Sequence, residues 1–291
     1  MSSSIIASVV IPCYGRSALL DRAIQSVIDC EGSERVEIIV IDDCSPEPVD
    51  SEVLREQDRV IRLEQNSGPS IGRNVGIEAA AGEMVYFLDS DDQYLDRNFG
   101  EDYRLFRDSD AVFYCEIDSQ GFRSDYPDEL IEEGYFDNIF FREHHIAQSS
   151  SLCFPKRVGV RFDESIRKHE DWDFIYCQAL REGIPVKKIS GRIFFDRSDR
   201  NSLSRRPDGE NSLPWVEKIC ALNQDDESFD ARQFRYHMLA QYPPQYPWLD
   251  YFWNTFVLLC QGGSSLRRSA IKGAHRLIAL GHRIKGLSSQ K

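Results

Sequence analysis

Three aspartates lie within four residues at the end of a short apolar run, and they carry the clearest chemical signal in the sequence. Met84 to Leu88 is predicted to be a buried strand, and Asp89, Asp91 and Asp92 follow it directly. Carboxylates this close together repel one another unless a cation lies among them, and oxygen ligands favour a hard ion such as Mg²⁺ or Mn²⁺. The alternative is a solvated acidic turn, because short motifs of this kind often match by chance.

A second pair of aspartates follows another apolar run in the same way. Val36 to Ile41 is predicted to be a strand, and Asp42 and Asp43 come next. A helix is predicted between this run and an earlier one, Ile6 to Ile11, so the two strands should be parallel neighbours joined by a right-handed crossover. The carboxyl ends of such strands share one edge of the sheet, where open α/β proteins bind their ligands.

Two predicted helix starts lie at the same edge. One follows Ser17 and the other follows Ser70. Helix N-termini attract phosphate, and so does a cation held between carboxylates. The sequence contains neither G-x-G-x-x-G nor a Walker sequence, which disfavours dehydrogenases and nucleoside triphosphatases. These features predict a nucleoside-diphosphate site made of carboxylates, a metal ion and helix ends.

The rest of the first half completes an alternating strand and helix pattern. The apolar runs predict strands at Val60 to Leu63 and Ala111 to Ile117, with a charged helix near residues 96 to 107 between them. An α/β protein with a largely parallel sheet is therefore expected.

A third acidic cluster opens an amphipathic segment further along the chain. Glu170, Asp171 and Asp173 lie in the first turn of a predicted helix, where acidic side chains complement the helix dipole. From spacing alone Asp171 is a helix cap. His169 is an alternative proton acceptor, and Trp172 is either a platform for a sugar ring or a packed aromatic side chain.

The charge of the chain is negative overall but positive near its end. The 291 residues carry a formal net charge of −13, which disfavours nucleic acid as a partner because phosphate binding needs a positive face. No acidic residue follows Asp250, and Leu266 to Leu287 predicts a basic amphipathic helix. Two interpretations of this helix stay open: docking on an anionic membrane surface, and packing on the catalytic domain or on a second copy of the chain.

The cysteines and the N-terminus predict a cytoplasmic protein. Eight scattered cysteines show neither a C-x-x-C pair nor zinc-ligand spacing, so we expect reduced thiols. The N-terminal apolar run lacks a basic region and ends at Pro12, which indicates a first strand rather than a signal peptide. No run approaches the roughly 20 apolar residues that cross a bilayer. If the basic tail docks on lipid, the protein would lie on the cytosolic face of a membrane.

Five motifs in a fixed order carry a resemblance to a known family. They are Val-Val-Ile-Pro-Cys-Tyr-Gly-Arg (9 to 16), Ile-Val-Ile-Asp-Asp-Cys-Ser (39 to 45), Asn66-x-Gly68 with Gly72-Arg73-Asn74-x-Gly76, Phe-Leu-Asp-Ser-Asp-Asp (87 to 92), and Phe162-Asp163-Glu164 followed by Glu170-Asp171-Trp172-Asp173. Over roughly the first 200 residues the chain thus resembles the family 2 glycosyltransferases of the GT-A fold. The resemblance implies a nucleotide-diphospho-sugar transferase domain in residues 1–215, with a Rossmann-like mixed sheet and helices on both faces, followed by a helical C-terminal extension in residues 216–291.

The same resemblance implies a function and a set of site residues. The reaction would be metal-dependent, with Mn²⁺ or Mg²⁺, and would transfer a sugar with inversion from a nucleotide sugar, most often a UDP-sugar, to a glycan or lipid-linked acceptor in surface polysaccharide biosynthesis. Asp91 would hold the metal, Asp171 would be the general base, and Glu170, Trp172 and His169 would lie on the acceptor side. The residues implied in nucleotide-sugar binding are Pro12, Tyr14, Arg16, Asp42 or Asp43, Gly68, Arg73, Asn74, Asp89, Ser90 and Arg197.

The sequence departs from the family pattern at two positions, and two other functions are alternatives. Gly15 stands where the family often has Asn, and Asp199 stands where a closing segment carries a His. We interpret Asp199 as a loop residue, although it could also ligate the ion. One rival is a sugar-nucleotide pyrophosphorylase, whose glycine-rich basic loop is absent here. The other is a non-catalytic nucleotide-binding or assembly module, which would bind UDP without turnover.

Overall fold

The computed structural model describes residues 4–15, 18–119, 122–123, 127–130, 148–195 and 209–226, together with Phe229, Ala231, Phe234 and Met238. The chain divides into two units, Met1–Arg205 and Arg206–Lys291. The predicted boundary between residues 215 and 216 falls inside a helix, Gly209–Leu222, and the two units divide before that helix begins.

A mixed sheet forms the centre of the first unit, and this confirms the predicted α/β fold. Its described strands are β1 (Ala7–Cys13), β2 (Val36–Asp42), β3 (Arg59–Arg62), β4 (Met84–Phe87), β5 (Gln93–Asp96), β6 (Val112–Ser119), β7 (Phe122–Arg123), β8 (Glu129–Leu130), β9 (Leu152–Pro155) and β10 (Val186–Phe194). The strand order is β3-β2-β1-β4-β9-β6-β10-β5, with β7 beside β6 and β8 beside β10. β9 is antiparallel to both β4 and β6, so it separates two parallel parts of the sheet.

The helices are α1 (Ala18–Ile28), α2 (Pro69–Ala79), α3 (Phe99–Phe106) and α4 (Glu170–Asp173) in the first unit, and α5 (Gly209–Leu222) in the second. The helix predicted from Asp171 to Leu180 is present, but only its first turn is α-helical. It continues as a π-helix over Phe174–Ala179 and a 3₁₀ turn over Leu180–Glu182. π-helical turns are rare and occur frequently at functional sites.

The parallel centre of the sheet sets up one polar edge. Every residue of β2 is buried, which is typical of a strand covered on both faces. β1 pairs with β2 and with β4 in parallel, and the register places Cys13 opposite Asp42 and Val10 opposite Phe87. The carboxyl ends of these three strands therefore lie at one edge, as the sequence predicted.

An aromatic cluster under this edge joins β4 to the helix that carries Asp171. The Phe162 and Phe174 rings stack with their centroids 4.4 Å apart. Phe87, from β4, lies 5.2 Å from Phe162 and 6.3 Å from Phe174 in edge-on contacts. Phe154, from β9, lies 5.8 Å from Phe174. These buried rings fix α4 to the sheet through side-chain packing rather than through a long backbone ladder.

Helix α2 lies very close to β1. A Cβ atom added at Gly76 would lie 2.7 Å from Cγ2 of Val10 and closer still to its Cγ1. Only a residue without a side chain allows this approach, and it places the polar face of α2 next to the carboxyl end of the sheet.

In the second unit, Trp215 of α5 is fully buried and lies 5.8 Å from the Phe234 ring. The basic helix predicted at Leu266 to Leu287 lies outside the described residues. Within the part of the chain that the structure describes, no helix combines the length and the apolar character needed to span a bilayer.

The contact between α2 and β1 gives a stability prediction. Gly76→Ala should lower the free energy of unfolding of the first unit by about 1–3 kcal/mol, because a methyl group would overpack the Val10 side chain. The matched control is Gly100→Ala, whose Cβ would lie an ordinary 3.5 Å from Oδ1 of Asn98. Urea denaturation measures both variants, and equal stability of the two would contradict the packing at Gly76.

Candidate functional site

Asp42, the last residue of β2, accepts several hydrogen bonds from other parts of the protein. Asp42 is fully buried, and it accepts hydrogen bonds from the backbone N–H groups of Ser45 (2.9 Å) and Val49 (3.2 Å) and from the Arg62 guanidinium. Burial alone would raise the pKa of Asp42, but the hydrogen bonds from Ser45, Val49 and Arg62 outweigh it and lower the pKa below its usual value. Asp42 therefore holds the loop after β2 as an ionised side chain.

Asp43 joins the end of β2 to the start of α2. Its two oxygens accept the N–H groups of Ser67 (2.6 Å) and Gly68 (2.8 Å). Gly68 has a φ of 90°, a conformation that favours glycine, and Pro69 follows it in the first turn of the helix. Asp42 or Asp43 was predicted to bind the nucleotide sugar. In the structure both carboxylates accept backbone N–H groups of loops at that edge. A nucleobase would therefore share carboxylate oxygens that already accept these hydrogen bonds.

The three aspartates after β4 have three different environments. Asp92 is fully buried and accepts a hydrogen bond from Oγ of Ser150 at 2.5 Å. The same Ser150 oxygen accepts the N–H of Asp89 at 2.9 Å, so it links the two aspartates. Asp91 is half-buried at the edge itself. Ser150 was not predicted from the sequence, because a run of three serines has no spacing that indicates chemistry.

Arg73 lies between the end of β4 and the start of α4. Its Nη2 donates to Oδ1 of Asp89 at 2.6 Å and its Nη1 donates to Oε1 of Glu170 at 3.3 Å. The guanidinium carbon lies 5.2 Å from the centroid of the Phe162 ring, and only 3% of the side chain is exposed. Burial opposes the charge of Arg73, but the carboxylates of Asp89 and Glu170 raise its pKa above the usual value. The side chain is thus a permanent cation inside the protein.

The neighbouring residues of α2 hold the segment that leads into α4. The Asn74 side chain accepts from the N–H of Phe162 at 2.9 Å and donates to its carbonyl oxygen at 3.0 Å. Its amide also donates to Oε1 of Glu164 at 3.0 Å. One turn earlier, the Ser70 hydroxyl donates to the carbonyl oxygen of Ile166 at 3.1 Å. Asn74 was predicted as a nucleotide-sugar contact, and the structure shows it fastening residues 162–166 to α2.

Asp171 is half-buried in the first turn of α4 and has the electrostatics of a proton acceptor. Its Oδ1 accepts the N–H of Trp172 at 2.9 Å. Burial, together with the charge of Glu170, raises the pKa of Asp171 well above its usual value, and the nearby Arg73 limits that rise. A carboxylate with a raised pKa is a better base than an ordinary one, and such groups cluster at functional sites.

His169 is a weaker candidate for the same task. It is buried, adopts a left-handed φ of 67°, and stacks on Trp172 with ring centroids 4.7 Å apart. Burial and the neighbouring Lys168 lower the pKa of His169 to about 3. A group with so low a pKa accepts protons poorly at neutral pH, so the electrostatics favour Asp171 over His169.

The other predicted residues lie at the same edge or outside the described part of the chain. Tyr14 follows β1 and is 61% exposed, so its ring is accessible at this edge. Ser90 is half-buried and follows Asp89 at the end of β4. Pro12 contributes to the end of β1 next to α2. Arg16, Arg197 and Asp199 lie outside the described residues.

The acidic edge is compatible with one kind of metal site. Among the described residues, no group of three His, Cys, Asp or Glu side chains could hold an ion. Mg²⁺ and Mn²⁺ at phosphate sites need no such group, because one or two carboxylates suffice when the substrate phosphates supply the other oxygens. Asp91 is a hard oxygen ligand at the strand edge, so it fits an ion that arrives with a diphosphate.

Comparisons with known proteins agree with this architecture. The model of the family described as Glycosyl transferase family 2 matches residues 8–163. The succinoglycan biosynthesis protein ExoO of Rhizobium meliloti is 28% identical over 256 residues, which cover 80% of this chain and 70% of that protein. The GalNAc(5)-diNAcBac-PP-undecaprenol beta-1,3-glucosyltransferase of Campylobacter jejuni is 40% identical over 94 residues, 30% of each chain.

A solved structure shares the fold. S. aureus TarS, crystallised in complex with UDP, matches with a TM-score of 0.51 and 20% identity over 81% of this chain and 70% of that chain. The chain spans only 29–33% of the length of three Rickettsia glycosyltransferases that it also matches.

The low pKa of His169 gives a prediction about acid stability. The unfolded imidazole binds a proton below about pH 6.5 and the folded one does not until about pH 3, so the free energy of unfolding falls as the pH is lowered through this window. His169→Asn removes the titrating group and keeps a residue that tolerates a positive φ. Between pH 6 and pH 5 the variant should lose about 1 kcal/mol less stability than the unmodified protein.

Urea denaturation at pH 7.5, 6 and 5 measures this difference, with pH 7.5 as the common baseline. Parallel stability profiles for His169→Asn and the unmodified protein would show that the imidazole titrates normally in the folded state.

Proposed function

The chain belongs to glycosyl transferase family 2, and on that premise we propose that it transfers a sugar from a nucleoside-diphosphate donor to an acceptor hydroxyl, with inversion at the anomeric carbon. One observation carries the proposal. Arg73 bridges Asp89, at the end of β4, and Glu170, next to Asp171, so the strand edge and the candidate base belong to one site. A donor bound along the edge would have its reacting carbon on the side that faces Asp171.

The donor side is assigned to the carboxyl ends of β1 and β4. The exposed Tyr14 ring can stack on a nucleobase, and Asp89 lies where a ribose hydroxyl would reach the partly exposed side of its carboxylate. The TarS structure holds UDP within the same fold, so a uridine nucleotide is the first donor to test.

Asp171 is assigned as the general base. A sugar hydroxyl is a weak nucleophile, so a carboxylate must take its proton as the oxygen attacks the anomeric carbon. The new C–O bond forms on the face opposite the diphosphate, the old bond to the diphosphate oxygen breaks with its electron pair, and the configuration inverts. Glu170 is held by Arg73 and Asp173 is fully buried, which leaves Asp171 as the carboxylate of this turn that can face an acceptor.

Asp91 is proposed to hold a divalent ion, Mn²⁺ or Mg²⁺, together with the diphosphate. Such an ion, when bound, offsets the negative charge that develops on the leaving group. The protein contributes the edge position of Asp91, while the locked side chain of Asp92 keeps the turn in place.

The acceptor is proposed to be a glycan or a lipid-linked saccharide of polysaccharide biosynthesis. The names of two relatives support this class, since one belongs to succinoglycan biosynthesis and the other acts on an undecaprenol-linked substrate. An acceptor on a lipid would also give a role to the basic C-terminal segment, through attraction to an anionic membrane surface.

The proposed base gives a direct mutational test. Asp171→Asn should lower kcat for sugar transfer by about 10²- to 10⁴-fold, because the amide cannot accept the proton, and should leave UDP affinity unchanged. Glu182→Gln, which removes an exposed carboxylate at the end of the same helical segment, is the control and should keep full activity. Transfer is scored on a panel of UDP-, GDP- and CMP-sugars, with UDP binding measured by calorimetry.

UDP binding without any turnover of the unmodified protein would favour the non-catalytic module. Turnover that Asp171→Asn leaves unchanged would remove Asp171 as the base and leave the family activity intact.

The proposed ion gives a second test. EDTA should abolish transfer, and added Mn²⁺ or Mg²⁺ should restore it. Asp91→Asn should raise the Mn²⁺ concentration needed for half-maximal rate at least about tenfold, because it removes an anionic ligand. Asp108→Asn removes a carboxylate that is 89% exposed and serves as the control for lost charge. A rate that is insensitive to EDTA would rule out the ion.

A further inference from the structure

We propose that Arg73 is a positioning residue that sets the distance between the donor edge and the turn that carries Asp171. The inference rests on the proposed function and deepens it. It assigns Arg73 to holding two parts of the protein together, whereas the family resemblance implied that this residue binds the nucleotide sugar.

The contacts of Arg73 support this role because its guanidinium binds other side chains of the protein. One side of the guanidinium binds Asp89 at 2.6 Å and another binds Glu170 at 3.3 Å, while its carbon lies over the Phe162 ring at 5.2 Å from the centroid. With 3% of the side chain exposed, a phosphate could reach Arg73 only after one of these ion pairs opened. The structure therefore gives Arg73 two carboxylate partners from elements that are far apart in sequence.

The helix that carries Arg73 is itself held in place on two sides. α2 lies against β1 through the close approach at Gly76. The Asn74 side chain forms hydrogen bonds with both the N–H and the carbonyl oxygen of Phe162. The guanidinium is thus supported from the sheet on one side and from the segment before α4 on the other. A support of this kind can transmit position, because the residues on both sides, Val10 and Phe162, are buried.

The turn that carries Asp171 depends on outside support. α4 contains a single α-helical turn before the backbone changes to a π-helix at Phe174. Three carboxylates, Asp89, Glu170 and Asp171, lie around the one guanidinium and would repel one another without it. Loss of the bridge should let the charged first turn of α4 shift relative to the edge, while the packing of Phe87 on Phe162 and Phe174 keeps the following turn on the sheet.

The chemistry requires arginine at this position. A guanidinium is planar and offers several N–H donors in fixed directions, so it can hold two carboxylates and stack on a ring at once. A lysine ammonium carries the same charge but cannot span both partners in this geometry. Arg73→Lys therefore separates the effect of charge from the effect of position.

The test compares kcat and KM with UDP affinity in four variants. Arg73→Lys should lower kcat for UDP-sugar transfer by about 10- to 100-fold, because small misplacements of a reacting group cost rate, and should leave the Kd for UDP nearly unchanged. Glu170→Gln, which breaks one arm of the bridge, should lower kcat less. The double variant Arg73→Lys/Glu170→Gln should be no slower than Arg73→Lys alone, because both changes remove the same link.

The control is Arg97→Lys. Arg97 is another buried arginine, paired with Asp102 at 2.9 Å and lying over the Tyr86 and Tyr94 rings. This variant should lower the melting temperature and leave kcat unchanged. It separates a general loss of stability from a loss of positioning.

The possible outcomes decide between the proposals. Weaker UDP binding by Arg73→Lys with an unchanged kcat would make Arg73 a donor contact and overturn the positioning role, as would independent, multiplicative losses in the double variant. If Arg73→Lys does not fold, a Glu170→Gln variant that folds and keeps an unaltered kcat would also overturn the positioning role. No turnover by the unmodified protein removes the proposed function and this inference together, whereas turnover that Arg73→Lys leaves unaltered removes the inference alone.

Discussion

A buried cation between carboxylates is the interaction on which the arrangement of the site depends. A guanidinium taken out of water is costly unless its charge and most of its N–H groups are satisfied, so Arg73 requires both Asp89 and Glu170 in place. Its Nε has no hydrogen-bond partner among the described residues. Those two residues belong to the end of a central strand and to the start of α4. The electrostatic requirement of one side chain therefore holds together two elements that the sheet alone does not connect.

Several carboxylates at this edge stabilise the local structure. Asp43 ties the end of β2 to the start of α2, and Asp92 binds Ser150, so each supports the backbone. Asp91 at the edge and Asp171 in the first turn of α4 are the carboxylates to which we assign chemical roles. An acidic motif in the sequence thus contains both structural and functional members, and neighbours only one residue apart can belong to different classes.

The sequence predicted the parts of the site that depend on local pattern. Apolar runs located β1, β2 and β4, and the aspartates that follow them lie at one edge as expected. Long-range contacts could not be predicted in this way. Arg73 and Glu170 are 97 positions apart, and Asp92 and Ser150 are 58 apart, so neither pair leaves a periodic signal. The apolar pattern after Asp173 predicts only a helix and does not indicate its π-helical backbone.

The most direct test of the account is a crystal structure of the protein with UDP and Mn²⁺. The account predicts electron density for the diphosphate at the carboxyl ends of β1 and β4, within reach of Asp91, with Arg73 still bound to Asp89 and Glu170 and with Asp171 facing the open side of the diphosphate. UDP bound away from this edge, or an Arg73 side chain that has left both carboxylates for the phosphates, would contradict it.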